Sequence, residues 1–234
     1  MAWIKHFQFN SFMENCYIIW DESLDGVIID PGFVTEEEKA KLYAFIGKEN
    51  IHLCGILLTH GHTDHIFGAA QVQRDFDVAA YMHPDDLPIL GGGGIPVQFF
   101  GGKTPDTRFV INSIHDGDVL GTDSLRFKVI HTPGHTPGGV CYHCEEEMVI
   151  FTGDTLFAGT IGRTDLQGGD YDKLIVSVMD KVMGLDTDTD ILPGHGASSS
   201  IGWERTHNPM LEPFNEEEAP LDEDVEGIEL HFNG

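Results

Sequence analysis

Ile51-His52-Leu53-Cys54-Gly55-Ile56-Leu57-Leu58 runs straight into Thr59-His60-Gly61-His62-Thr63-Asp64-His65. The first part is an almost unbroken apolar run of strand length, the mark of a strand covered on both faces. The second part places three imidazoles and a carboxylate at the carboxyl end of that strand, where a helix over about 64–75 is expected to begin. Four groups able to bind metal at a strand-to-helix junction can converge on a cavity held by well-supported backbone, a stronger reading than a polar helix cap. His60 and His62, two residues apart, can approach one ion from an extended turn. Asp64 and His65 diverge from them and suit a second ion.

Three later loops follow apolar strands in the same way: Thr132-Pro133-Gly134-His135-Thr136-Pro137-Gly138, Thr152-Gly153-Asp154-Thr155 and Pro193-Gly194-His195-Gly196. In each, small residues flank the polar one and let backbone and ion sit close. The inventory of five histidines and two aspartates is enough for two first-row ions with a shared carboxylate and a position left for water.

Working outward, strands are expected near 4–9, 16–20, 26–29, 78–81, 109–111, 125–130, 139–144, 148–152 and 190–192. A helix follows Thr35, whose capping box with Glu38 precedes the apolar positions Leu42, Tyr43, Phe45 and Ile46; another spans 171–183. Strands outnumber helices, so two sheets packed together between helices fit better than one doubly wound sheet, which needs a helix after nearly every strand. The expectation is a mixed α/β chain with one domain over residues 1–211 and an acidic tail over 212–234, partly disordered. Gly91-Gly92-Gly93-Gly94-Ile95-Pro96 reads as a loop that overhangs a site, since it lacks the setting and the lysine of a phosphate-binding loop.

The chain has 234 residues and a formal charge of −26, of which the stretch from Glu212 onward contributes −9 and the rest −17. A surface this acidic repels nucleic-acid phosphates and anionic lipid, and no apolar run reaches the roughly 20 residues of a membrane helix. The start of the chain shows no secretory leader, and Cys16, Cys54, Cys141 and Cys144 are too scattered for a disulfide framework, so reduced thiols in the cytoplasm are expected. Cys141 and Cys144 have the spacing of half a zinc or redox site but lie in an alternating stretch and read as strand residues.

Taken together, the motifs resemble the metallo-beta-lactamase fold superfamily, and their flanks resemble short bacterial glyoxalase II-like hydroxyacylglutathione hydrolases. Besides the four loops above, the matching passages are Gly162-Arg163-Thr164-Asp165, Gly168-Gly169-Asp170 and Thr206-His207-Asn208-Pro209, in the expected order between residues 12 and about 211. The resemblance implies a four-layer αββα sandwich. It also implies two divalent metal ions, zinc above all, with iron or manganese as alternatives: His60, His62 and His135 on the first, Asp64, His65 and His195 on the second, and Asp154 bridging. A hydroxide bridging the ions, held with the help of Asp64 and Asp154, would attack a thioester such as S-lactoylglutathione without a serine, cysteine or base triad. Thr59 and Thr155 stand beside ligands and are candidates to support them by hydrogen bonds. His131 and the remaining histidines are expected to be structural.

Longer glyoxalase II enzymes add a helical domain with basic groups for glutathione, whereas here the similarity ends near Leu211. Arg163, Lys173 and Arg205 are the basic residues in the matching stretches and the candidates for substrate contact. The implied partner is a small thioester, a glutathione conjugate among the options, with neither nucleic acid nor membrane involved. Two other readings stand beside this one. A persulfide dioxygenase would use one iron on His60, His135 and Asp154, and a metal-stabilised interaction protein would have lost catalysis and bind a partner through its tail.

Overall fold

The computed structural model describes residues 2–92 and 96–214. Within them, alternation along the strands sorts the apolar side chains into three layers. One sheet consists of β1 (Ala2–Phe9), β2 (Glu14–Asp21), β3 (Asp25–Ile29), β4 (His52–Leu57), β5 (Ala79–Met82) and β6 (Ile111–Ser113), in that spatial order. Its first three strands are antiparallel and β3 to β6 run parallel. The other sheet contains β7 (Val119–Gly121), β8 (Arg126–His131), β9 (Val140–Cys144), β10 (Val149–Gly153), β13 (Asp190–Pro193) and β14 (Ser199–Ser200), ordered β14-β13-β10-β9-β8-β7. A hairpin, β11 (Leu156–Phe157) and β12 (Thr160–Ile161), leaves the end of β10.

Successive strand residues point to opposite faces, so one strand feeds two cores. From β2, Cys16, Ile18 and Trp20 join an outer core under α1 (Glu36–Glu49) and α3 (Ala69–Phe76), while Tyr17 and Ile19 enter the layer between the sheets. From β9 and β10, Val140, Tyr142, Val149 and Phe151 enter that middle layer. Cys141 and Ile150 face the third core, under α4 (Tyr171–Ser177) and α5 (Ile201–His207). The result is a four-layer αββα sandwich. Cys141 and Cys144 therefore lie on opposite faces of β9 and cannot share an ion.

The capping box at Thr35 forms as expected, with the Thr35 hydroxyl accepting from the Glu38 N–H and the Glu38 carboxylate accepting from the Thr35 N–H. Elsewhere the structure corrects the sequence reading. The helix expected over 64–75 is two pieces, α2 (Thr63–Ile66) and α3, because the Gly68 N–H turns aside to the Pro31 carbonyl at 2.8 Å and the Phe33 ring occupies the space a Cβ would need. Strand β4 is covered on both faces only in its second half, since His52 and Cys54 are exposed. The helix expected over 171–183 relaxes into a π turn over Val178–Val182. Strands β7, β11, β12 and β14 and helix α5 are too short to stand out by periodicity. The acidic tail beyond residue 214, and Gly93-Gly94-Ile95 of the glycine loop, lie outside the described residues.

Candidate metal centre

Strands β3 and β4 are parallel, and β10 runs parallel to β13, so their carboxyl ends gather loops at one edge of the sandwich. The same edge receives the loop after β8. There the Nε2 of His60, the Nδ1 of His62 and the Nε2 of His135 converge, at 3.1 Å from His60 to His62 and 3.0 Å from His62 to His135. Nitrogens about 2.0–2.1 Å from a tetrahedral zinc stand about 3.3 Å apart, so this triad is close to ready-made for an ion. A second cluster stands beside it. The Nε2 atoms of His65 and His195 are 3.2 Å apart, and Asp64 Oδ2 lies 3.4 Å from His195 Nε2. Asp154 sits between the two, with Oδ2 3.4 Å from His135 Nε2 and Oδ1 3.4 Å from His65 Nε2.

The outer nitrogens fix which ring atom carries the proton. His65 Nδ1 donates to Asp30 at 3.0 Å, His135 Nδ1 to the Arg163 carbonyl at 2.7 Å and His195 Nδ1 to the Phe12 carbonyl at 3.1 Å. The lone pairs of His65 and His195 therefore face one another, which is favourable only with a cation between them. The oxygens Asp64 Oδ1 and Asp154 Oδ1 are buried without a hydrogen-bond donor. This donor set fits two divalent ions.

Burial pushes the His60 and His62 pKa values down, helped by neighbouring histidines, and His62 falls to about 4, so both rings are neutral donors at neutral pH. Burial opposes the charge on Asp64 and Asp154, but His65 and His195 together, joined at Asp154 by His135, outweigh it and hold both carboxyls below the usual range. The same pairing, working against burial, raises His65 and His195.

Two residues behind the ligands carry no signal in the motifs. Asp30 is buried with φ of 48°, a left-handed conformation that Asp tolerates better than most residues. Its carboxylate accepts from the Thr59 N–H, the Thr59 hydroxyl and His65 Nδ1, while Thr59 in turn accepts from His60 Nδ1, so one side chain sets two ligands. Asp86 accepts from the Gly61 and Gly138 N–H groups and the Thr136 hydroxyl, tying the loop of His60 and His62 to that of His135. In the sequence Asp30 reads only as a strand end and Asp86 only as a loop residue. Thr155 pairs with the Thr132 hydroxyl at 2.8 Å and touches no ligand by hydrogen bond.

Glycine is required where backbone meets ligand: a Cβ on Gly194 would stand 2.5 Å from Asp154 Oδ1 and 2.7 Å from His65 Cε1. His83, Asp85 and His131 also group together, yet the two rings stack with centroids 4.0 Å apart and planes 6° from parallel, which keeps their lone pairs from meeting at one ion.

A cleft of about 680 Å³ opens onto the candidate ligands His62, Asp64, His135, Asp154 and His195. Pro96 and Phe99, just after the glycine loop, form part of its wall, together with Arg163. Arg163 is held by Asp165 through two contacts of 2.7 Å. Lys173 lies outside the lining and pairs with Asp170, and Arg205 donates to the carbonyls of Met183 and Leu185, anchoring α5.

Residues 10–195 match the Metallo-beta-lactamase superfamily. The chain belongs to that superfamily. The Haemophilus influenzae protein named hydroxyacylglutathione hydrolase GloC is 38% identical over 207 residues, covering 86% of this chain and 94% of that one. Among solved structures, the BLEG-1 B3 metallo-beta-lactamase superposes with a TM-score of 0.80 at 33% identity, covering 88% of this chain and 98% of its own. TTHA1623, solved in a di-iron-bound form, gives 0.78 at 33% identity with the same coverage. Members of this superfamily are typically hydrolytic metalloenzymes that bind divalent ions.

Proposed function

We propose that the protein is a dinuclear metallohydrolase of thioesters, with zinc as its metal. The observation that carries this reading is Asp154, whose two oxygens face different nitrogen clusters. His60, His62 and His135 would hold one ion, Asp64, His65 and His195 the other, and Asp154 both. Bound there, two divalent ions would supply a hydroxide at neutral pH, by lowering the pKa of a shared water, and a Lewis acid for the thioester carbonyl.

The protein's own part is positional. Asp30 and the carbonyls of Phe12 and Arg163 keep the Nδ1 protons of three histidines in place, so the inward nitrogens are free to ligate. Thr59 holds His60 from behind. The aromatic wall of the cleft restricts water around the reacting carbonyl, and a thiolate is a fair leaving group that needs little help from an acid. The resemblance to GloC makes a hydroxyacyl thioester such as S-lactoylglutathione the first substrate to assay. Four unpaired thiols, three of them buried, suit a reducing compartment such as the cytoplasm.

The single-iron reading on His60, His135 and Asp154 leaves the complete Asp64, His65 and His195 cluster without a role. The deciding experiment loads metal-free protein with zinc and follows thioester absorbance without oxygen. Turnover supports the hydrolase, whereas activity that appears only with iron and oxygen on a persulfide overturns it.

A further inference from the structure

We infer that the cleft selects an uncharged, apolar thioester rather than a glutathione conjugate. This deepens the thioesterase reading and rests on it. The argument begins with what lines the approach to the ligands. Six apolar side chains do so: Phe12, Pro96, Phe99, Phe157, Ile161 and Leu166. Phe12 also packs on Phe99 with ring centroids 5.4 Å apart, and the Ser11 hydroxyl donates to the Phe99 carbonyl at 2.7 Å, so this wall joins the β1–β2 turn to the segment after the glycine loop. Phe99 is exposed at 55%. Large apolar surface left open to water beside a reaction centre marks where an apolar ligand is received.

The second line of argument is charge. Glutathione carries two carboxylates and one ammonium, and a site built for it needs cations placed to clamp them. All 13 Lys and Arg of this chain precede residue 206 and fall among the described residues. Only Arg163 lines the cleft, and its guanidinium is already engaged by Asp165 through two bonds of 2.7 Å. Exchanging that carboxylate for one from a substrate gains little, because an exposed pair of this kind is worth about 0–1 kcal/mol either way. The chain's net charge of −26 further opposes an anionic thiol. The cleft volume of about 680 Å³ accommodates an acyl chain of several carbons as well as a small uncharged thiol.

The test uses zinc-loaded full-length protein and two readouts. Calorimetry measures binding of inert S-alkyl thioethers of N-acetylcysteamine and of glutathione, matched in chain length from two to eight carbons. Turnover is then compared on the corresponding acyl thioesters. The expected result is that each added methylene tightens binding about two- to fourfold until the cleft is filled, and that the uncharged series binds at least as tightly as the glutathione series. Phe99→Ala, an exposed position, flattens the chain-length dependence. Two results overturn the inference: a glutathione series that binds about tenfold tighter and loses that advantage in Arg163→Ala, or no dependence on chain length in either series. Both leave thioester cleavage intact. A zinc-loaded protein that cleaves no thioester of the panel brings down the thioesterase reading and the inference together, and is told apart by that lack of turnover.

Discussion

Asp30→Asn probes how the outer hydrogen bonds hold the metal ligands. The replacement keeps the shape and tolerates the left-handed φ of 48°. It also keeps one oxygen to accept from the Thr59 N–H, now bonded at 2.7 Å. What changes is the position of Oδ2, which accepts from the Thr59 hydroxyl at 2.6 Å and from His65 Nδ1 at 3.0 Å. An amide NH2 there meets two donors. His65 relieves the clash by moving its proton to Nε2, the atom that faces Asp154 and His195, and a protonated nitrogen cannot ligate. Losing a partner behind a ligand typically costs 10–100-fold in metal affinity, about 1.4–2.7 kcal/mol, and a stranded buried donor costs the metal-free fold about 1–3 kcal/mol. Competition with a chromogenic zinc chelator resolves the ions, and the variant is expected to hold the ion of the Asp64, His65 and His195 cluster 10–100-fold more weakly. Two unchanged affinities, or loss confined to the other ion, would refute this reasoning.

Asp154→Asn removes the charge shared by both clusters, and metal content by mass spectrometry is expected to fall from about two ions per chain to one or fewer. Glu14, fully buried on β2 with both carboxylate oxygens lacking a hydrogen-bond partner, has its pKa pushed up by burial. A raised carboxyl contributes stability that is present below its unfolded value and lost as pH rises through the folded one. Thermal unfolding of metal-free Glu14→Gln should therefore show a smaller loss of stability above about pH 4.5 than the parent chain. His62 runs the other way: with its pKa lowered from 6.5 to about 4, its contribution to the metal-free fold is present above pH 6.5 and declines, by up to about 3 kcal/mol, as pH falls to 4. Denaturant titrations of His62→Gln across that window should show a shallower acid decline, and an unchanged slope would count against the burial argument.

The layers and the clustering of the seven candidate ligands were legible because both rest on strong local signals. Short apolar runs between turn signals placed β2 and β10, alternation placed β9, and the four loops carry histidine and aspartate next to glycine or proline. The rest depends on tertiary contacts. Gly68 breaks a helix through Pro31 and Phe33, which the sequence over 64–75 does not reveal. Helix α5 is seven residues long, and what fixes it is Glu204, which accepts from the Gly159 N–H and Asn208 Nδ2. Asp30 and Asp86 act on ligands distant in sequence, and nothing in their own neighbourhoods records it. Arg205, a basic residue beside a matching motif, is occupied by main-chain carbonyls.

The central claim is that two ions shared through Asp154 support thioester hydrolysis, and zinc titration of metal-free protein, with the anaerobic rate of thioester cleavage followed at each addition, tests it most directly. The account predicts a rate that rises to a break at about two equivalents per chain. A rate that saturates at one equivalent, or no cleavage at any zinc level with activity appearing only on iron and oxygen, would contradict it.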